Sequence, residues 1–310
     1  MKKKFLAVLV AALAAALCAF ALAGCGGASD EAAPADDAAD QAAVAPAGDQ
    51  EIIVVSFGTS YPETRAATIE AVENSIAAAF PEWSVQRAFT AQTIIDKVAE
   101  KEGVEIMNFE QAVDAAAEAG VTKLVVQPTH LMNGYEYNDV KDALDKAAPR
   151  FDQVVLGDPL LGTDADLSAV AEAMVEATKQ YDDGQTAIVW MGHGTEADSN
   201  GVYAKMQEVM TEAGHDNYYI GTVEATPTID DILTAIDGKG YTKVVLRPMM
   251  VVAGDHATND MADPEDPESW YSQFKAAGYE VEAVLEGLGQ IPAIQDLYVA
   301  HAQAAIDSLQ

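Results

Sequence analysis

Three side chains able to bind a metal follow three apolar runs in the second half of the sequence. His193 comes directly after AIVWMG (187–192), Glu224 directly after YYIGTV (218–223), and His256 within VVAGDHATNDM (251–261), just downstream of KVVLRP (243–248). Two imidazoles and a carboxylate suit a divalent transition ion such as Co, Ni, Fe or Zn. Asp255, Asn259 and Asp260 crowd around His256, where they would hold its loop. Taken singly, each histidine also fits a hydrogen-bonded loop residue, and residues so distant in sequence have no shared geometry until the fold supplies one.

The elements that must supply it alternate in type. Apolar, β-branched runs at 52–57, 83–89, 123–128 and 153–157 are separated by stretches of helical periodicity at 63–80, 109–119, 136–148 and 164–181. The pattern restarts with strands at 187–192, 218–223, 243–248 and 281–285 and helices at 198–213, 228–237, 268–277 and 292–308. Continuous apolar strands between amphipathic helices predict an α/β fold with parallel sheets covered on both faces.

The two halves also resemble each other. TKLVVQPTHLMNG (122–134) aligns without a gap on TKVVLRPMMVVAG (242–254), and IVVSFGTS (53–60) echoes AIVWMGHGT (187–195). An internal duplication follows: two similar α/β lobes, 51–183 and 184–310. In open α/β sheets ligands bind beyond the carboxyl ends of strands. The first lobe places Ser56, Gly58, Thr59, Ser60, Tyr61 and His130 there, and the second places His193, Glu224 and His256. His130 falls opposite Met250 in the repeat, which fits a packed residue, but its place at a strand end fits a cleft residue equally well. His215, in a turn, and His301, in the closing helix, read as surface residues.

Composition narrows the function. The 310 residues carry a formal net charge of −33, which repels nucleic-acid phosphates and excludes them as partner. No Walker loop or G-x-S-x-G elbow is present. GHGTEA (192–197) has dinucleotide-fingerprint spacing, but a histidine between its glycines would crowd a pyrophosphate.

The N-terminus reads as a lipoprotein leader. Lys2, Lys3 and Lys4 precede an uncharged apolar run over 5–23, and LAGC (22–25) resembles a lipobox. The expectation is a signal peptide over 1–24, lipidation at Cys25 and an extracytoplasmic, membrane-anchored domain. Residues 25–50, rich in Ala, Gly, Pro and acid, are expected to form a disordered tether. The two cysteines, Cys18 and Cys25, both lie before the domain, so any metal there must be held by His, Asp or Glu.

SFGTSYPETR (56–65), RAFTAQTI (87–94), HLMNGYEY (130–137), GDPLLG (157–162), MGHGT (191–195), VEATP (223–227) and RPMMVVAGDHATNDMA (247–262), with SW at 269–270, together resemble the anaerobic sirohydrochlorin cobaltochelatases of the CbiK type. The resemblance runs from about Ile52 to the last helix. It implies a class II chelatase fold with a tetrapyrrole between the lobes and Co²⁺ (or Fe²⁺ or Ni²⁺) as the metal substrate, held by His193, Glu224 and His256. It implies that His193 and His256 are catalytic, one of them accepting a pyrrole proton. Ser56, Gly58, Thr59, Ser60, Tyr61, His130, Gly192 and Gly194 would contact the macrocycle, with no nucleotide or redox cofactor. Cobalamin synthesis is cytoplasmic, so the leader raises an alternative: a tetrapyrrole- or metal-binding lipoprotein serving uptake, partnered by an ABC importer.

Overall fold

The computed structural model describes residues 48–309; the expected signal peptide, Cys25 and nearly all of the tether lie outside them. β1 (Gln50–Ser56) opens the fold, and every residue after Gln50 is buried. Its run of Ile and Val suits a strand covered on both faces. A helical rod follows as α1 (Pro62–Arg65), a π turn (Ala66–Glu70) and α2 (Ala71–Ala79). Pro62 starts it where a missing N–H costs nothing. Then come β2 (Ser84–Phe89), α3 (Gln92–Glu102), α4 (Phe109–Glu118), β3 (Lys123–Pro128), α5 (Tyr135–Ala147), β4 (Gln153–Leu156) and α6 (Asp164–Thr178).

The second half repeats the scheme with β5 (Thr186–Gly192), α7 (Gly201–Glu212), β6 (Tyr218–Thr222), α8 (Ile229–Ile236), β7 (Lys243–Pro248), α9 (Trp270–Ala276), β8 (Glu280–Ala283) and α10 (Pro292–Ser308). Reciprocal capping boxes fix three helix starts: Asn108 with Gln111, Thr163 with Asp166, and Thr228 with Asp231.

The strands form two four-stranded parallel sheets, ordered β2-β1-β3-β4 and β6-β5-β7-β8. The registers match as well as the orders, with Pro128 opposite Val55 and Pro248 opposite Met191. Equivalent bonds tie equivalent loops: Thr122 N–H donates to Asp49 O and Thr242 N–H to Gln185 O. Gln127 Nε2 donates to Asp158 O, and in the second lobe Arg247 Nε donates to Glu286 O. In this strand order the chain turns to opposite sides after β1 and β3, and again after β5 and β7. A crevice therefore opens at the carboxyl ends of each pair.

The helices do not respect the boundary at 183. α10 packs on α2 and β3 of the first lobe and on α6, while α6 packs on α7 of the second. One core accordingly runs through both sheets, joining Ile52, Met174, Trp190 and Tyr298. Tyr298 is fully buried, and its hydroxyl donates to Thr129 O at 2.7 Å. This crossing also buries His301, expected at the surface: its Nε2 lies 3.0 Å from Asp166 Oδ1, and its side chain is only 11% exposed. α3 has no counterpart among the helices expected from periodicity. It buries only Ile95 and Val98 and stops at Gly103, whose φ of +70° suits glycine.

Glu51 supplies a test of the packing beneath β1. Ser84 Oγ donates to its Oε2 at 3.3 Å, its Oε1 has no partner, and burial pushes its pKa from 4.5 up to about 7. The folded chain holds this proton up to about pH 7, and the unfolded chain only up to 4.5. The carboxyl's stabilisation is thus complete below 4.5 and lost as pH rises through 7. Glu51→Gln should stabilise the protein at pH 8 by on the order of 1–3 kcal/mol. Thermal melts across pH should show the gain growing above pH 4.5 and levelling off above pH 7.

Candidate functional site

The crevices of the two lobes face one cavity of about 410 Å³, lined by loops from both, a volume typical of small-molecule sites. In the second lobe the loops after β5 and β7 flank the crevice. His193 sits on the first and His256 on the second, with ring centroids 4.6 Å apart and planes at 84°.

Local chain geometry aims both rings. Gly194 has φ +87°, and a Cβ there would meet Ala225 N at 2.8 Å, so only glycine makes this turn. The turn brings His193 Nδ1 within 2.7 Å of Gly194 O, and Glu224 N–H donates to His193 O at 2.8 Å. A carbonyl only accepts, so His193 carries its proton on Nδ1 and leaves the Nε2 lone pair free. His256 precedes a π turn, Ala257–Met261, and its Nδ1 lies 2.8 Å from Asp260 Oδ2. The carboxylate holds that proton on Nδ1 too, again freeing Nε2. Single π turns recur at functional sites. The other one here, Ala66–Glu70, supplies Ile69 to the same cavity.

The structure brings two of the three expected ligands together. Glu224 stands beside His193 at the end of β6, but its side chain is exposed and does not line the cavity. Among the described residues, no group of three His, Cys, Asp or Glu side chains is placed to hold a metal. Around His256 only Asp260 bonds the ring in the expected way. Asp255 instead accepts from Tyr61 Oη at 3.2 Å, a link between the lobes, and Asn259 is exposed.

Ser56, Gly58, Thr59, Ser60, Tyr61, His130 and Gly194 all line the cavity. Gly192 does not. A Cβ there would strike the Tyr203 ring at 2.2 Å, so this glycine makes room for Tyr203, whose hydroxyl accepts from Gly194 N–H at 3.3 Å. Gly58, at φ +104°, lies over the Phe89 ring, which a Cβ would meet at 2.6 Å. Arg65 holds the following loop by donating to Thr59 O at 3.3 Å while paired with Glu102 at 2.5 Å. His130 differs from the other cavity histidines. Both its ring nitrogens are buried and have no hydrogen-bond partner, and burial pushes its pKa down to about 4 against the pull of Glu136.

Among the cavity residues that sequence did not single out, three bear on its chemistry. Phe57 is half-exposed and occupies the first-lobe position equivalent to His193, an equivalence already visible in SFGT against GHGT. Lys97 comes from α3, the helix that periodicity missed, and is the only Lys or Arg among the described residues lining the cavity. Glu136 stands at the start of α5, within the HLMNGYEY stretch. The backbone bond from Ala91 N–H to Phe57 O repeats the one from Glu224 N–H to His193 O. The first lobe therefore keeps the architecture of the second without its ligands.

Comparison with known proteins places the fold and the family. A family model described as "Cobalt chelatase (CbiK)" matches residues 50–307. The chain is 36% identical over 256 residues to the sirohydrochlorin cobaltochelatase of Salmonella typhimurium, covering 83% of this chain and 96% of that one. It is 28% identical over 264 residues to the sirohydrochlorin cobaltochelatase CbiKC of Nitratidesulfovibrio vulgaris, covering 83% and 91%. Among solved structures, the sirohydrochlorin chelatase SirB from Bacillus subtilis subspecies spizizenii, in complex with cobalt, superposes with a TM-score of 0.59 at 14% identity, over 84% of this chain and 97% of that one.

If the two free Nε2 atoms form the metal site, His193→Ala and His256→Ala should each abolish tight Co²⁺ binding measured by calorimetry. Asp260→Asn, which leaves the His256 ring but loosens its orientation, should weaken binding by about 10-fold.

Proposed function

The chain belongs to the CbiK cobalt chelatase family, and from that premise we propose that it inserts Co²⁺ into sirohydrochlorin or a close relative between its two lobes. The observation that carries this reading is the pair of neighbouring imidazoles, His193 and His256, each held through Nδ1 and left with Nε2 to bind, on the wall of a cavity built by both lobes.

The chemistry asks for a site that binds a metal and then lets it go. Imidazole nitrogens hold Co²⁺, Fe²⁺ or Ni²⁺ with moderate strength, and a thiolate cage would retain it. Two protein ligands leave most coordination positions to water and then to the macrocycle. Glu224, two residues beyond the end of β6, is our proposed third ligand; it has to swing inward from its exposed position. The macrocycle presents an apolar face and a rim of carboxylates. Phe57, Ile69 and Val251 offer apolar surface to the face, and Lys97 offers a cation to the rim. Ordered insertion gives up two pyrrole protons as the four ring nitrogens replace the metal's other ligands.

Location and anchoring are a separate proposal that rests on the sequence of residues 1–25. Its order of Lys2–Lys4, apolar run and LAGC supports export and lipidation at Cys25. Under that reading the enzyme works outside the cytoplasmic membrane on a tether. The alternative, a lipoprotein that captures a tetrapyrrole or metal for an importer, is supported by the same leader alone.

Full-length chain, sirohydrochlorin and Co²⁺ are mixed without oxygen, and the absorption spectrum is followed against a protein-free control. Insertion should run through many turnovers. The His193→Ala, His256→Ala double variant should lose on the order of 100-fold or more in rate. A single spectral shift at one macrocycle per chain, without turnover, would support capture instead.

A further inference from the structure

The histidines that hold the metal are poorly placed to take the pyrrole protons. Each imidazole has two nitrogens. On His193 and on His256, Nδ1 carries a proton that is donated to Gly194 O or to Asp260. The remaining lone pair, on Nε2, is the one a metal needs. A histidine engaged in this way has no vacant lone pair while the metal is held. Insertion nevertheless has to remove two N–H protons from the macrocycle, so the acceptor must stand elsewhere in the cavity.

His130 answers this requirement. It follows β3 at the carboxyl edge of the first sheet, so it lies across the crevice pair from the metal histidines. It lines the cavity, its ring nitrogens are buried, and neither has a hydrogen-bond partner. Buried polar atoms are nearly always paired, and an exception calls for an explanation such as a catalytic role. The duplication sharpens the point. The equivalent residue of the second lobe is Met250, which packs there without any polar group to satisfy. The imidazole is thus not something the fold needs at this position.

We propose that His130 is the proton acceptor of metal insertion, a role separate from the metal-holding pair; the inference rests on the chelatase reading above. The ring stays neutral at physiological pH because burial disfavours its charged form. With the macrocycle in place the ring turns its unprotonated nitrogen, buried in the free protein, toward the cavity, where it takes a proton from a pyrrole N–H as the metal approaches and acidifies that bond. The N–H bonding pair stays on the pyrrole nitrogen and becomes the metal–nitrogen bond. The imidazolium is stabilised by the negative charge of Glu136, which also faces the cavity, until the proton leaves to solvent. The step then repeats for the second N–H, so one metal ion enters and two protons leave.

The test uses the full-length chain, with His130→Ala and His130→Gln as variants, Gln preserving bulk and hydrogen bonding. Three quantities are measured: Co²⁺ affinity, affinity for metal-free sirohydrochlorin, and kcat at saturation without oxygen. Both variants should keep both affinities and lose on the order of 10²–10⁴-fold in kcat. Added imidazole should restore part of the rate to the Ala variant, which a merely structural loss would not allow. A kcat retained in both variants, or a loss that imidazole does not restore, overturns the assignment while leaving the chelatase reading in place. An unmodified chain that turns nothing over overturns the chelatase reading, and this inference with it.

Discussion

Two hydrogen bonds decide what the rest of this protein is for. One ties His193 Nδ1 to the Gly194 carbonyl, and the other ties His256 Nδ1 to the Asp260 carboxylate. Each fixes a tautomer, and together they leave one unprotonated Nε2 on each of two neighbouring rings. Had either ring been free to flip, the lone pairs would not meet reliably. The glycine turn at 194, the π turn after His256 and the Tyr203 hydroxyl are the local devices that hold the rings in place. The parallel sheet is the larger one, since β5 and β7 are neighbours and their loops diverge to leave a crevice.

The duplication explains why the ligands sit on one side only. Both lobes have the same strand order, the same register and equivalent backbone bonds at their strand ends. Phe57 and Ala91 stand where the second lobe has His193 and Glu224, while His130 stands where the second lobe has Met250. The first lobe therefore offers an aromatic surface and one buried imidazole, and the second offers metal ligands. A planar substrate between them would meet a different chemistry on each side. The helices α6 and α10 join the lobes through one core, and Tyr298 and the Tyr61–Asp255 bond add polar links.

Much of this was legible from residue order. Continuous apolar strands announced parallel sheets, and the 122–134 and 242–254 repeat landed on β3 and β7 in matching register. The meeting of His193 and His256 followed from both being placed at strand ends. What stayed hidden depends on tertiary context. α3 is polar apart from a few apolar positions and buries only two of them, so it passed as a connection, and Lys97 was missed with it. Gly192 looked like a cleft glycine because nothing in the sequence reveals that Tyr203 needs its space. The return of α10 to the first sheet, and with it the pairing of His301 to Asp166, is a property of packing rather than of pattern. Glu224 was legible as a strand-end acid, but not the outward direction of its side chain.

The central claim is that the two imidazoles hold the metal in transit to the macrocycle. It can be tested by loading the full-length chain with radioactive cobalt and then adding sirohydrochlorin together with excess unlabelled Co²⁺. If the account is right, the first turnover puts the preloaded label into the macrocycle, and His193→Ala removes this preference. If the label is released to solvent and the macrocycle fills from the unlabelled pool, the histidine pair is not on the route and the account is contradicted.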